Sequence, residues 1–172
     1  MIRADIIERI ELPKPGRVLD VGAREGGMAR YFANKGHNVD AIDPVVFEEL
    51  ASDKEINFIQ SRFEDFTTTQ RYDLIVASLV SHHITYSLEE FLGRLKSLLN
   101  DNGTIYVTLL GLDDDWAASP IAKCISFDEA NIIYERAGFN AVYKAAEWFE
   151  GRVYSGESKF WNLFHFVLKL PY

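Results

Sequence analysis

Residues 17–27 read RVLDVGAREGG, and residues 39–43 read VDAID. Each segment begins as an apolar run typical of a buried strand, and the first continues into a glycine-rich turn and a helix. The second ends on Asp43, 21 positions after Gly22. If the two strands are parallel neighbours, this carboxylate lies beside the glycine turn. Glycine lets a ligand approach the backbone and the acid accepts hydrogen bonds from ribose hydroxyls, so the pattern indicates a nucleoside site.

The length and composition of the chain fit one globular domain. Its 172 residues suffice for a full core, and 48% of them are apolar. We therefore expect a single domain over residues 1–172, with an N-terminal helix and linker over residues 1–16. The sequence has no apolar run of the roughly 18 residues that a membrane span needs, so no membrane partner is expected.

The net charge and the cysteine content bear on whether the chain binds nucleic acid and on its cellular compartment. The formal net charge is −8 and the basic residues are scattered, whereas a nucleic-acid partner requires a basic stripe. The single cysteine, Cys124, excludes an internal disulfide and fits a reducing compartment. The first five residues include an acid and begin no long apolar segment, unlike a signal peptide. We expect a cytoplasmic protein that binds no nucleic acid; the oligomeric state is left open.

Strand and helix signals alternate along the chain. The predicted strands cover residues 17–22, 38–42, 56–59, 72–77, 104–109, 139–145 and 159–170, and the predicted helices cover residues 3–11, 26–35, 45–51, 88–99 and 126–136. This alternation predicts a doubly wound, Rossmann-like α/β sheet of seven strands, mostly parallel, with helices on both faces. The last two strands have no helix between them, which favours a hairpin and an antiparallel last strand.

Three local predictions accompany this order. Pro44 is expected as the first residue of the third helix, where proline is tolerated. Residues 101–103, Asp-Asn-Gly, are predicted to form a turn before the fifth strand. Residues 110–127 show little periodicity and are expected to form a loop on the substrate side of the sheet.

The chain resembles the class I S-adenosylmethionine-dependent methyltransferases. Residues 18–26 look like the first motif of that family, and Asp43 stands where the family has its ribose-binding acid. Residues 61–66 are similar to the loop that contacts adenine, and residues 72–78 followed by 82–84 look like the fourth motif. The resemblance implies S-adenosylmethionine as the cofactor. It implies that the following residues bind it: Asp20, Gly22, Ala23, Arg24, Gly26, Asp43, Pro44, Phe63, Glu64 and Ser78. Within the family, residues 111–117 and 159–166 loosely resemble small bacterial members of the tellurite-resistance type.

Two positions depart from the family pattern. Arg24 replaces a small residue; either its backbone is strained by a positive φ, or it is exposed without strain, or its guanidinium meets the carboxylate of the cofactor. Arg62 stands where many relatives have an acid for the adenine amino group, and Glu64 and Asp65 are the alternatives. Asp20, in an apolar strand, is interpreted as ordering the turn and the cofactor amine, or else as a local cap.

The acceptor side is less constrained by the sequence. His82 and His83 follow the fourth strand and are candidate general bases, although local packing is the alternative and methyl transfer often needs no base. The acids at 113–115 are interpreted as a solvated loop, a substrate contact with Trp116 as a wall, or a cation site; no resident metal is expected. The acceptor pocket is expected to be walled by Ser81, His82, Tyr86 and Trp116, with the N-terminal helix as a further candidate cover. Residues 110–120 are expected to be mobile when the pocket is empty.

These observations favour an enzyme that moves a methyl group to a small molecule. The alternative is a non-catalytic protein that binds the same cofactor, or a related nucleoside, on the same fold. A nicotinamide-dependent oxidoreductase is disfavoured, because its fingerprint needs glycines at 22, 24 and 27 and position 24 is arginine.

Overall fold

The computed structural model of the protein describes residues 3–171 and is organised around one mixed β-sheet. Its strands are β1 (Arg17–Val21), β2 (Asn38–Asp43), β3 (Ile56–Gln60), β4 (Tyr72–Ala77), β5 (Leu99–Gly111), β6 (Cys124–Ile125), β7 (Asn140–Arg152) and β8 (Ser158–Lys169). Its helices are α1 (Ala4–Ile7), α2 (Gly27–Ala33), α3 (Glu48–Ala51), α4 (Leu88–Ser97) and α5 (Phe127–Arg136), with a 3₁₀ turn at Ser81–His83. Residues 1, 2 and 172, which belong to the predicted domain, lie outside the described range.

The sheet has the order β3-β2-β1-β4-β5-β8-β7. Strands β1 to β5 pair in parallel, whereas β8 is antiparallel to both β5 and β7. The predicted mostly parallel sheet with an antiparallel last strand is confirmed. The two-residue β6 adds an eighth strand beside the end of β5, inside the segment expected to be a loop. Because β1, β2 and β4 are parallel, their carboxyl ends meet at one edge of the sheet.

The central strands are buried on both faces, which explains their continuous apolar sequences. In β1, Leu19 and Val21 pack into the core on the side of α4 and α5, whereas Val18 packs on the side of α1 and α2. Successive strand side chains point to opposite faces, so an uninterrupted apolar run supplies both cores. Helix α4 begins at a capping box in which Ser87 and Glu90 each accept the backbone N–H of the other.

Several predicted boundaries were wrong for identifiable reasons. Pro44 does not begin a helix; the Asp43 side chain accepts the Val45 N–H at 2.8 Å, and the turn so formed delays α3 until Glu48. The predicted 101–103 turn lies within β5, where the pairing with β4 shifts register. Strand β7 continues to Arg152 because it pairs along its whole length with β8.

The N-terminal helix is shorter than predicted and lies on the α2 side of the sheet, where Ile6 and Ile7 are buried. Arg3 forms an ion pair with Glu147, whose other carboxylate oxygen lies 2.7 Å from Nε2 of buried His165. Between residues 3 and 171, no helix is long and apolar enough to cross a membrane.

Candidate active site

A cavity of about 720 Å³ lies at the carboxyl ends of β1, β2 and β4. The structure brings together there seven of the ten residues predicted to bind the cofactor: Asp20, Gly22, Ala23, Arg24, Asp43, Pro44 and Ser78. We call this space the edge cavity. Gly26 is not among its lining residues; it precedes α2 with φ +80°, where a Cβ would lie 2.6 Å from Leu50 Cδ1.

The turn after β1 depends on glycine at position 22. Gly22 has φ +72°, and a Cβ there would lie 2.7 Å from Cγ2 of Val80, which lines the same cavity. The N–H groups of Gly22 and Ala23 both donate to the Ile42 carbonyl, at 2.9 and 3.1 Å. These bonds hold the turn against the end of β2, and the missing side chain leaves backbone as the cavity wall.

Asp20 is a buried carboxylate with an unused acceptor. Its Oδ2 atom is buried without a hydrogen-bond partner among the described residues. Burial is the largest of the causes that together raise the pKa of Asp20 to about 7. The Ala29 backbone amide opposes this shift, and the nearby Asp43 carboxylate adds to it. A cationic ligand group beside Asp20 would offset the free-energy cost of this buried negative charge.

Asp43 is 5% exposed and organises the turns on both sides of the cavity. Oδ1 accepts the Val45 N–H at 2.8 Å, and Oδ2 accepts the Arg24 N–H at 3.0 Å. A carboxylate oxygen can accept more than one hydrogen bond, so both oxygens retain capacity for a ligand's hydroxyl groups. The structure therefore gives Asp43 a local structural role and leaves it acceptor capacity toward the cavity.

Arg24 has φ +50°, which excludes the strain-free alternative. The bond from its N–H to Asp43 helps hold this conformation. Its guanidinium carbon lies 4.2 Å from the ring centroid of Tyr154, at the tip of the β7–β8 hairpin, and its Nε lies 3.6 Å from a Glu25 carboxylate oxygen. This cation–π contact joins the turn after β1 to the hairpin tip, and both residues line the edge cavity.

Phe63 and Glu64 line a side cavity of about 130 Å³, which shares Gly22, Pro44, Val80 and His83 with the edge cavity. The Glu64 carboxylate accepts both the N–H and the hydroxyl of Thr85, at 2.8 and 2.9 Å. These bonds lower the pKa of Glu64 against the opposing effect of its burial. Glu64 thus holds the chain after the 3₁₀ turn, besides facing the predicted adenine position.

A second cavity of about 580 Å³, here called the acceptor cavity, adjoins the first. The two share Arg24, Leu79, His83 and Tyr154 in their walls. Of the four residues expected to wall an acceptor pocket, His82 and Trp116 line this cavity. Ser81 and Tyr86 instead line a separate cavity of about 150 Å³, and the N-terminal helix lines neither of the two adjoining cavities.

His82 is held neutral by its surroundings. Burial is the largest cause that lowers the pKa of His82 to about 4; the neighbouring His83 and Lys159 also lower it, and Asp114 opposes the shift. Its ring lies 4.1 Å from that of His83 and 5.5 Å from that of Trp116, centroid to centroid. A histidine with this pKa is a weak base at neutral pH, whereas its ring remains available for hydrogen bonding and packing.

The three acids at 113–115 fasten their loop to the last two strands. Asp113 accepts the Trp148 indole N–H at 3.0 Å, and Asp115 accepts the Phe160 N–H at 2.6 Å. Asp114 is buried and forms an ion pair with Lys159. Asp113 and Asp115 are exposed, as expected of a solvated acidic loop, whereas Asp114 is not. Within residues 3–171, no group of three or more possible metal ligands is found.

Sequence reasoning missed the hairpin tip, residues 152–159, which supplies half of the acceptor cavity's lining residues. It also missed Leu79, a wall of both cavities with φ +54°, whose N–H donates to the buried Thr108 hydroxyl at 2.7 Å. Such an outlier for a branched aliphatic residue marks a position constrained by its surroundings. Neither feature has a local sequence signal, because each arises from contacts between distant segments.

A family model described as a methyltransferase domain matches residues 3–150. The chain belongs to this family. The methyltransferase domain is 27% identical over 116 residues to a ubiquinone biosynthesis O-methyltransferase of Rickettsia typhi, covering 61% of this chain and 47% of that protein. It is 28% identical over 109 residues to an uncharacterized methyltransferase of Staphylococcus carnosus, covering 60% and 52% respectively. The chain thus spans about half the length of these relatives.

The fold is also found in solved structures of other proteins. TehB from Haemophilus influenzae superposes with a TM-score of 0.80 at 16% identity, over 99% of this chain and 63% of that one. The Burkholderia thailandensis 1,6-didemethyltoxoflavin-N1-methyltransferase, bound to 1,6-didemethyltoxoflavin and S-adenosylhomocysteine, gives 0.67 at 20% identity, over 92% and 72%. The family and fold expected from the sequence are confirmed.

Proposed function

We propose that the protein is an S-adenosylmethionine-dependent methyltransferase that acts on a small-molecule nucleophile. The observation that carries this proposal is the pair of adjoining cavities at one edge of the sheet. The edge cavity has the chemistry of a nucleoside site, and the acceptor cavity opens beside it. A volume of about 580 Å³ suits a small organic molecule.

The residues present fit the cofactor. The unpaired Oδ2 of Asp20 suits the ammonium group of the cofactor, which would compensate the buried charge. The cradle at Gly22 leaves room for the ligand against backbone, and Asp43 has acceptor capacity for the ribose hydroxyls. Arg24 is the charged group for the carboxylate, and Phe63 lines the side cavity proposed for adenine.

When bound, the cofactor supplies a methyl group for attack by a lone pair of the acceptor, and its sulfonium sulfur keeps the electron pair of the broken carbon–sulfur bond. The chain's contribution is to align the two ligands. Leu79 and His83, in the walls of both cavities, fix where the ligands meet. Neutral His82 and the Trp116 ring orient the acceptor and exclude water, so positioning rather than proton transfer supplies most of the proposed rate enhancement.

The activities for which similar proteins are named support a small acceptor. The Burkholderia neighbour is named for methylating N1 of 1,6-didemethyltoxoflavin, and the Rickettsia relatives are named ubiquinone biosynthesis O-methyltransferases. These two activities support a small organic molecule as the class of acceptor.

Calorimetric titration with S-adenosylhomocysteine tests the cofactor site. We expect Asp43→Ala to weaken binding by about 10- to 100-fold, since hydrogen bonds to a charged group contribute about 1.5–3 kcal/mol. Asp53→Ala is a matched control, because the Asp53 carboxylate also accepts the N–H two residues later, at 3.0 Å, and lies outside both cavities. Equal affinities for the wild type and Asp43→Ala would refute the ribose assignment.

Two further measurements separate the alternatives. A thermal-shift comparison of S-adenosylhomocysteine with NAD distinguishes a methyltransferase from an oxidoreductase, since only a ligand that binds the native state raises Tm. Transfer of a labelled methyl group to a panel of small phenols, amines and thiols then distinguishes an enzyme from a non-catalytic binder. Cofactor binding without transfer to any member would favour the binder.

A further inference from the structure

The acceptor cavity contains a lysine in an unusual setting. The Lys159 side chain is 2% exposed, and its Nζ lies 3.7 Å from the ring centroid of Trp161 and 4.5 Å from that of Trp116. It lines the cavity together with both rings. A buried ammonium between two indole faces is favourable only when its charge is balanced.

The hydrogen bonds of Lys159 leave capacity toward the cavity. Nζ donates to the Asp114 carboxylate and, at 3.3 Å, to the Phe160 carbonyl. Within residues 3–171 these are its hydrogen-bond acceptors, whereas an ammonium has three N–H donors. One donor remains for a ligand in the cavity that Lys159 lines.

Asp114 divides its hydrogen bonds between Lys159 and two backbone amides. Its Oδ1 accepts the Trp116 N–H at 3.0 Å besides bonding to Lys159, and its Oδ2 accepts the Asn162 N–H at 3.0 Å. The carboxylate charge is thus shared between the Lys159 ammonium and these two amides.

The remaining charges around the cavity point the same way. The ionisable lining groups are Arg24, Arg152, Lys159, His82, His83, Asp115 and Glu157. Both acids are already engaged: Asp115 accepts the Phe160 N–H and Glu157 accepts the Ser155 hydroxyl at 3.2 Å. The lining thus holds three basic side chains, Arg24, Arg152 and Lys159, against two acids. This favours an anionic group on the acceptor.

The shape of the cavity favours a planar ring. The centroids of Trp116 and Trp161 are 5.5 Å apart with their planes at 61°, and the His82 ring centroid lies 5.5 Å from that of Trp116. Tyr154 is a further aromatic residue in the lining. Aromatic walls bind flat rings by stacking and edge contacts.

We propose that the acceptor is an aromatic ring bearing an acidic hydroxyl group, bound as its oxyanion to the ammonium of Lys159. This inference rests on the proposed function and specifies its acceptor. The hydroxyl gives its proton to solvent water, and the oxygen keeps the electron pair that serves as the nucleophile. Ionisation before transfer removes the need for a strong base, in agreement with a His82 that stays neutral.

The probe is 4-nitrophenol, because the visible band of the phenolate distinguishes it from the neutral phenol. In the presence of S-adenosylhomocysteine, we expect the protein to bind phenolate at least about tenfold more tightly than phenol, which lowers the apparent pKa of the bound dye by about one unit. We expect 4-nitrotoluene, which lacks the oxygen, and cationic 4-nitrobenzylamine to bind at least about tenfold more weakly than phenolate.

The variants isolate the ammonium. The double variant Lys159→Met/Asp114→Asn removes both charges of this buried ion pair, and we expect it to lose the preference for phenolate. Lys35→Met is the matched control, since Lys35 also lies over an aromatic ring, 4.4 Å from the Tyr31 centroid, but on the exposed surface. Lys35→Met should retain the full preference.

Equal binding of phenol and phenolate, absence of phenolate binding, or a preference retained by a folded double variant would overturn the proposal. If the double variant fails to fold, the wild-type comparison of phenolate with 4-nitrotoluene still decides. Titration of S-adenosylhomocysteine on the same samples separates the two levels. Normal cofactor binding without a phenolate preference refutes only the acceptor class, whereas absent cofactor binding refutes the proposed function.

Discussion

Replacing Gly22 with alanine tests whether the turn after β1 is packed as closely as the structure indicates. The substitution has two costs. Gly22 has φ +72°, a conformation that costs a residue with a side chain about 1–2 kcal/mol. The new Cβ would also lie 2.7 Å from Val80 Cγ2, and such overpacking typically costs about 1–3 kcal/mol. The free energy of unfolding should therefore fall by about 2–5 kcal/mol in total.

Gly36→Ala separates the two costs. Gly36 has φ +85°, and a Cβ there would meet no atom within 4 Å. Both variants share the backbone penalty and the loss of chain entropy in the unfolded state, so their difference reports the clash with Val80 alone. Urea unfolding should show Gly22→Ala to be less stable than Gly36→Ala by about 1–3 kcal/mol.

The double variant Gly22→Ala/Val80→Ala should recover part of this difference, because it removes the atom that the new Cβ meets. We expect a coupling energy of about 0.5–3 kcal/mol in the double-mutant cycle. Equal stabilities of Gly22→Ala and Gly36→Ala, or no coupling with Val80→Ala, would refute the close approach on which the cavity wall depends.

Three other predictions concern the charged groups of the site. Asp114→Ala should lower the free energy of unfolding by about 3–5 kcal/mol in urea, because it leaves Lys159 buried without its partner; a loss below about 1 kcal/mol would contradict a buried ion pair. Folding raises the pKa of Asp20 from 3.8 to about 7, so this carboxyl destabilises the ligand-free protein as pH rises through that window. The stability of Asp20→Asn relative to wild type should therefore increase from pH about 5 to pH about 8 in urea titrations, and a constant difference would exclude the shift. Tyr154→Ala should weaken S-adenosylhomocysteine binding several-fold by calorimetry, while Tyr154→Phe retains the stacking on Arg24 and should bind normally; equal losses in both would point to the hydroxyl instead.

Local sequence signals predicted the parallel half of the fold closely. The bounds of β1, β2, β3 and β4 agree with the predicted strands to within one residue. Strands β1, β2 and β4 are buried on both faces, so their sequences carry a strong apolar signal, whereas β3 is a short edge strand with only Ile56 buried. The exposed edge strand β7 carries no such signal, and its length was underestimated.

The sequence by itself determined most of the edge cavity, because its lining, apart from Tyr154, comes from segments at or shortly after the ends of adjacent parallel strands. The turn at 22–26 and the acid at 43 are brought together by β1 and β2, and the spacing between the segments already implies that pairing. Strain at Arg24 was one of the alternatives that the sequence left open, and the structure selected it.

Only the tertiary structure decided the acceptor cavity. Asp114 and Asp115 lie 45 residues before their partners in β8, and Asp113 lies 35 residues before its partner in β7. The pairing of β8 with β5 and β7 brings these segments together. The same pairing places the hairpin tip beside Arg24 and buries Lys159 between Trp116 and Trp161. Contacts between such distant segments leave no periodic pattern along the chain, since they depend on which strands become neighbours and in which register.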